Sequence, residues 1–211
     1  MKVSRLEGLA DGIFAFAMTL LVLGIHVPAN GMNLLHDVLA LWPNLLTLII
    51  SFVILGIYWS SQHMLLARVK EITGTFMWRN IYFMLPVSLV PFVTSLLGAY
   101  PLSHTAQITY AVDLAACGVL IYSAIHYALI RGDVFFTVQP SIEFKRNVAT
   151  KVLLPVVMYI LAIPGTFLDP HLGIVLLAAG PLIYFVPIDT HTWNLLTKPT
   201  DWAYRMITGK R

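Results

Sequence analysis

The chain has 211 residues, 58% of them hydrophobic and 11% charged, a balance that places it in the membrane class and excludes a water-soluble fold. Its net charge of +3 comes from basic residues scattered between apolar segments with no basic stripe, so nucleic acid is not an expected partner. A single cysteine, Cys117, excludes an internal disulfide and any multi-cysteine metal site.

The first predicted element is a membrane helix over residues 6–27. From Leu9 to Val27 only Asp11 carries a formal charge, and the run is long enough to cross a hydrocarbon core of ~30 Å. Lys2 and Arg5 ahead of an apolar core imitate a signal peptide. Asp11 interrupts its start, however, and the run exceeds a usual signal core, so the segment is expected to be retained. At about 100° per residue, Leu9, Phe16, Leu20 and Leu23 fall within one narrow sector and Asp11 points nearly the opposite way. The carboxylate is expected against the protein interior, because a charge facing lipid is costly. The apolar sector fits either ordinary helix packing or the wall of an apolar channel.

Pro28, Asn30, Gly31 and Pro43 mark the loop that follows. A second helix is predicted over 44–67, then a short basic link at 68–71, then a third helix over 76–98. Pro86 and Pro91 inside the third are read as kinks, since neighbouring helices can satisfy the freed carbonyls. A fourth helix is predicted over 106–130. The polar link 131–151 has room for an elbow or a short surface helix. A fifth helix follows over 152–168 and a sixth over 171–188, with 189–211 as a polar tail. The expectation is one all-α domain of six transmembrane helices.

The basic residues give the orientation. All thirteen Lys and Arg fall before helix one, around the links between helices two and three and between four and five, or after helix six. The other three links hold His36, Asp37, His104 and Asp169 but no Lys or Arg, so the positive-inside rule puts both termini in the cytoplasm.

Polar groups at membrane depth are the candidate functional residues. Asp11 needs a partner or water, and Arg5, His63 and Arg79 lie on its side of the membrane. Arg5 and Asp11, six residues apart, are not same-face neighbours, so contact between them would involve another helix or subunit. Trp59 and His63 are one turn apart and share a face, which suits a hydrogen-bonding platform for Asp11. The expected role of Arg5, Asp11, Trp59 and His63 is to hold helix one in register and to influence gating. No metal is expected, because no second histidine or carboxylate stands one turn from His63.

Asp113 and His126 are the other buried candidates. Membrane carboxylates often carry protons or coupling ions, so Asp113 or Asp11 supports an alternative reading as a coupled secondary transporter. Against it, the two halves show no matching pair of Gly/Pro-interrupted segments. Catalysis is not expected. Ser60, Ser61 and His63 lack an oriented third group, and there is no Gly-rich phosphate loop or HExxH.

Arg5-x-x-x-Leu9-Ala10-Asp11-Gly12 resembles the Arg-x-x-x-Phe-Ser-Asp signature that opens the first helix of the transmembrane protein 175 family of endolysosomal and prokaryotic potassium channels. Leu9 and Ala10 replace the usual Phe and Ser, and Ala15 stands where a second Ser is common. Tyr58-Trp59 with His63, Trp78-x-Asn80, and Pro91-Phe92-x-Thr94-x-Leu96-Leu97-Gly98 resemble later family stretches, so the likeness spans most of the chain. The resemblance implies a homotetramer in a prokaryotic plasma membrane, with helix one of each subunit lining the pore. It further implies passive conduction of potassium ions with modest selectivity over sodium, and no cofactor. Carried over from the aspartate, the pore layers are Phe16, Leu20 and Leu23, with Thr19 on their flank. Phe16 is larger than the aliphatic residue usual at its position. No Thr-Val-Gly-Tyr-Gly filter loop is present, so what remains for selectivity is an apolar constriction.

Overall fold

A chain crossing hydrocarbon must close its own backbone hydrogen bonds. In the computed structural model, which describes residues 3–25, 34–131 and 142–185, nearly every described residue is helical. The helices are α1 (Val3–Leu23), α2 (Leu34–Ala40), α3 (Trp42–Leu66), α4 (Gly74–Ala99), α5 (His104–Ile130), α6 (Ile142–Leu168) and α7 (Pro170–Phe185). Of these, α1, α3, α4 and α5 are long and apolar enough to cross a membrane. The apolar parts of α6 and α7 are shorter, Val152–Leu168 and Pro170–Leu182. The tail 189–211 and the end of the sixth predicted helix lie outside the described residues.

Two elements differ from the sequence expectation. The predicted loop after helix one contains α2, where Leu34, Leu35, Val38 and Leu39 gather on one side and stay exposed. Pro43 does not break α3 but sits in its first turn, where the missing N–H would have had no helical partner. In the link 131–151 the second half is the beginning of α6, not a separate surface helix. No proline or glycine interrupts the chain between Ile142 and Leu154, so the helix extends past the last charged residue.

The helices stack in antiparallel and parallel pairs fixed by a few close contacts. The rings of Phe14 on α1 and Phe83 on α4 lie 6.0 Å apart, and Ser95 Oγ donates to the Gly24 carbonyl at 3.2 Å, so α1 and α4 run in the same direction. α3 runs against both: its Trp59 meets Asp11, while its Asn44 lies against Gly98, whose added Cβ would come within 3.1 Å of the Asn44 backbone. α4 continues unbroken past Pro86 and Pro91. α5 is buried along most of its length, between α4 on one side and α6 on the other.

Apolar burial drives helices together only weakly in lipid, so packing and interhelical hydrogen bonds carry more of the load. Thr94 of α4 donates to Ser51 Oγ of α3 at 2.8 Å, and Ser51 pairs with the Tyr110 hydroxyl of α5 at 2.8 Å. Tyr58 Oη donates to the Leu114 carbonyl at 2.9 Å, and Gln62 Nε2 donates to Asn80 Oδ1 at 3.2 Å. These residues form a polar seam joining α3, α4 and α5 in an otherwise apolar core. Ser51→Ala removes the shared partner of Thr94 and Tyr110. It is expected to destabilise the bundle by about 0.6–1.7 kcal/mol for each interhelical bond lost, read as a lower thermal unfolding midpoint in detergent. An unchanged midpoint would show that the seam does not hold these helices.

Candidate functional site

α1 has two faces of different fate. Leu6, Ala10, Phe14, Ala17 and Leu21 recur at helical spacing and are buried to within a few per cent. On the other side Leu9, Phe16 and Leu23 are exposed, the last two at 65% and 75%, with Thr19 exposed and Leu20 half-buried. Within a single copy these side chains therefore have little to pack against. Beside them Gly8, Leu9, Gly12, Phe16, Leu20 and Ser88 of α4 line a shallow groove. Nothing stands within 4 Å of a Cβ added at Gly8 or Gly12, so another helix can approach this part of α1 closely. The Thr19 hydroxyl is occupied locally, donating to the Phe16 carbonyl at 2.8 Å.

At the other edge of the exposed side, Trp59 Nε1 donates to Asp11 Oδ1 at 2.8 Å. The Trp59 and His63 rings are stacked, with centroids 5.5 Å apart and planes 20° from parallel. The structure thus brings Asp11, Trp59 and His63 into one group joining α1 to α3. It does not place Asp11 in the protein interior, since Asp11 is exposed at the surface of the single copy. Among the described residues Asp11 forms no ion pair with Arg5, His63 or Arg79. Arg5 is exposed on the first turns of α1, and Arg79 turns to α5, where it donates to the Ser123 carbonyl and hydroxyl. An indole donor suits the carboxylate because it forms a charge-assisted bond without bringing a second charge to membrane depth. Trp59→Phe keeps an aromatic ring on His63 and removes this donor. It is expected to weaken the α1–α3 contact by about 1 kcal/mol, seen as faster proteolysis or hydrogen exchange of α1. Asp11→Asn retains an acceptor for the indole and should cost less.

Asp113 is buried in α5, with one carboxylate oxygen lacking a hydrogen-bond partner among the described residues. His126 stacks on Tyr122 of its own helix. No group of three His, Cys, Asp or Glu able to hold a metal ion occurs among the described residues. Sequence reasoning did not assign the Ser51–Thr94–Tyr110 and Gln62–Asn80 pairings. Asn80 and Thr94 stood in noted motifs, but their partners lie on other helices at sequence separations no motif spans.

Fold and site together define a helical, multi-pass membrane protein whose first helix is tied to its neighbours on one side and free on the other. Residues 5–91 match the family model described as the endosomal/lysosomal potassium channel TMEM175. A potassium channel of Streptomyces collinus is 32% identical over 154 residues, covering 70% of this chain and 73% of that one. The chain belongs to the TMEM175 family. A potassium channel of Chryseobacterium sp. is 28% identical over 190 residues, covering 89% of this chain and 94% of the relative. The crystal structure of a lysosomal potassium-selective channel TMEM175 homolog from Chamaesiphon minutus superposes with a TM-score of 0.73 at 26% identity, over 86% of this chain and 95% of that one. The fold alone is shared with a solved variant of the potassium channel MtTMEM175, at a TM-score of 0.58 and 16% identity. These relatives bear the names of channels and not of enzymes, and they do not favour the reading in which Asp113 or Asp11 couples ions to secondary transport.

Proposed function

We propose that this protein is a potassium channel in which four copies meet around α1. Phe16, Leu20 and Leu23 form successive apolar layers around the axis, and Thr19 flanks them. The observation that carries this reading is the unpartnered stripe on α1, exposed in one copy at Leu9, Phe16 and Leu23 while the opposite stripe is fully packed. Conduction is passive, and an apolar constriction of this kind gates by dewetting and discriminates potassium from sodium modestly. Asp11, Trp59 and His63, with Arg5 nearby on α1, hold the register of α1 and tune its opening. All six apolar helices, α1 and α3 to α7, cross the membrane, both termini lie in the cytoplasm, and the membrane is a prokaryotic plasma membrane. The relatives' names and the concentration of Lys and Arg at one end of the bundle support this arrangement.

Oxidative cross-linking tests the assembly. In a Cys117→Ala background, Leu23→Cys places one thiol per copy at the axis. It is expected to give a disulfide-linked dimer on gels, whereas Leu168→Cys, 82% exposed at the end of α6, gives none. Cross-linking at Leu168→Cys and not at Leu23→Cys would contradict an axis lined by α1.

A further inference from the structure

Arg79 is a cation in the membrane-spanning bundle that the conduction pathway does not use. It lies in the second turn of α4 and reaches across to α5, where Nη1 donates to the Ser123 carbonyl at 3.3 Å and to the Ser123 hydroxyl. Its guanidinium carbon stands 4.9 Å from the centroid of the Tyr127 ring. Arg131, immediately after α5, brings its own guanidinium carbon to 5.8 Å from the same ring. Two cations therefore share one aromatic ring. Among the described residues the buried Arg79 Nε has no hydrogen-bond partner and neither arginine forms an ion pair.

A ring quadrupole attracts each cation only weakly at an exposed site, too little to balance two like charges at the edge of hydrocarbon. An anion is needed, and its chemistry follows from the donors. Guanidinium groups present planar, fixed forks that match phosphate oxygens. The depth of the site follows from its neighbours. Trp78 and Tyr82, one turn apart on α4, have their rings 5.7 Å apart and are 51% and 56% exposed, the placement of aromatic anchors at headgroup level. Arg68, also exposed, adds positive charge at the same end of the bundle. We propose that Arg79 and Arg131, on their shared Tyr127 ring, hold the phosphate group of an anionic lipid in the leaflet at the end of the bundle formed by the α3–α4 turn.

Native mass spectrometry of the purified full-length protein tests this. Protein is delipidated and titrated with phosphatidylglycerol, with phosphatidylcholine, or with phosphatidylglycerol in the presence of an equal concentration of inorganic phosphate. The wild type is expected to retain phosphatidylglycerol in preference to phosphatidylcholine, undisturbed by inorganic phosphate. Arg131→Gln, at an exposed position where folding is not at risk, should weaken the apparent affinity for phosphatidylglycerol about fivefold and leave phosphatidylcholine unchanged. Arg79→Lys keeps the charge and loses the fork, and should weaken retention as well; if it does not fold, Arg131→Gln carries the test. Equal retention of phosphatidylglycerol by wild type and Arg131→Gln would mean that the arginines are neutralised from within the chain, and the proposal would fall. Displacement by inorganic phosphate would overturn the lipid as the source of the anion.

Discussion

Phe16→Ala is expected to raise potassium current severalfold and to lower the preference for potassium over sodium. Phe16 is 65% exposed on the free side of α1, close to Thr19 and Leu20, and no other residue of the proposed layers is as bulky. Four phenylalanines at one level of a pore narrow it and exclude water, and an ion must then shed hydration with no carbonyl ring to replace it. Truncation to alanine widens and wets that level, so the barrier falls for both ions and the discrimination it supplied falls with it. Because the side chain makes little contact within its own copy, the effect should appear in permeation and not in the stability of the fold. Currents in planar bilayers under bi-ionic conditions measure both quantities. Leu23→Ala, one layer further along, should act in the same direction. If neither variant changed conductance or selectivity, the assignment of this face to the pore would be wrong.

The second large effect is on folding. Gly118 stands where α5 packs closely against α6. A Cβ there would overlap the Val156 side chain and lie 3.4 Å from the Tyr58 hydroxyl, which is fixed by its bond to the Leu114 carbonyl. Val156 is short, β-branched and buried, so it cannot swing aside as a long side chain would. Gly118→Ala should therefore destabilise the bundle by about 1–3 kcal/mol, the range for overpacking a close-packed core. Val156→Ala in the same chain should restore part of the loss, giving a coupling energy of about 0.5–3 kcal/mol in a double-mutant cycle of thermal unfolding. Simple additivity of the two substitutions would mean that the close approach at Gly118 does not constrain the packing.

Much of this architecture was legible before any coordinates. Long apolar runs punctuated by Pro, Gly and polar links gave an all-helical membrane protein, because hydrocarbon leaves few other ways to satisfy the backbone. The apolar sector of Leu9, Phe16, Leu20 and Leu23 and the shared face of Trp59 and His63 could be read from spacing alone. The stripe that α1 buries, Leu6, Ala10, Phe14, Ala17 and Leu21, was not read from it, and Asp11 lies exposed beside that stripe and not within it. That Asp11 needed a polar partner followed from the cost of a bare charge at depth. Which residue supplied it did not, because the choice among Arg5, Trp59, His63 and Arg79 depends on the level at which α1 and α3 meet, a tertiary quantity absent from any single helix. The same holds for the close approach at Gly118 and for Arg79, whose partners Ser123 and Tyr127 lie on the following helix. Local pattern misjudged α2 and the start of α6 for different reasons. Seven residues are too few to show a clear period, and the charged residues of 142–151 argue against membrane burial without arguing against helix.

Ion flux into liposomes containing the purified protein tests passive potassium conduction most directly. Potassium and sodium gradients are compared, each with and without an imposed proton gradient. The expected result is uptake that follows the potassium gradient, needs no proton gradient and is smaller for sodium. Flux that appears only when a proton gradient is imposed, and disappears in Asp113→Asn, would contradict it and return the apolar face of α1 to the role of packing.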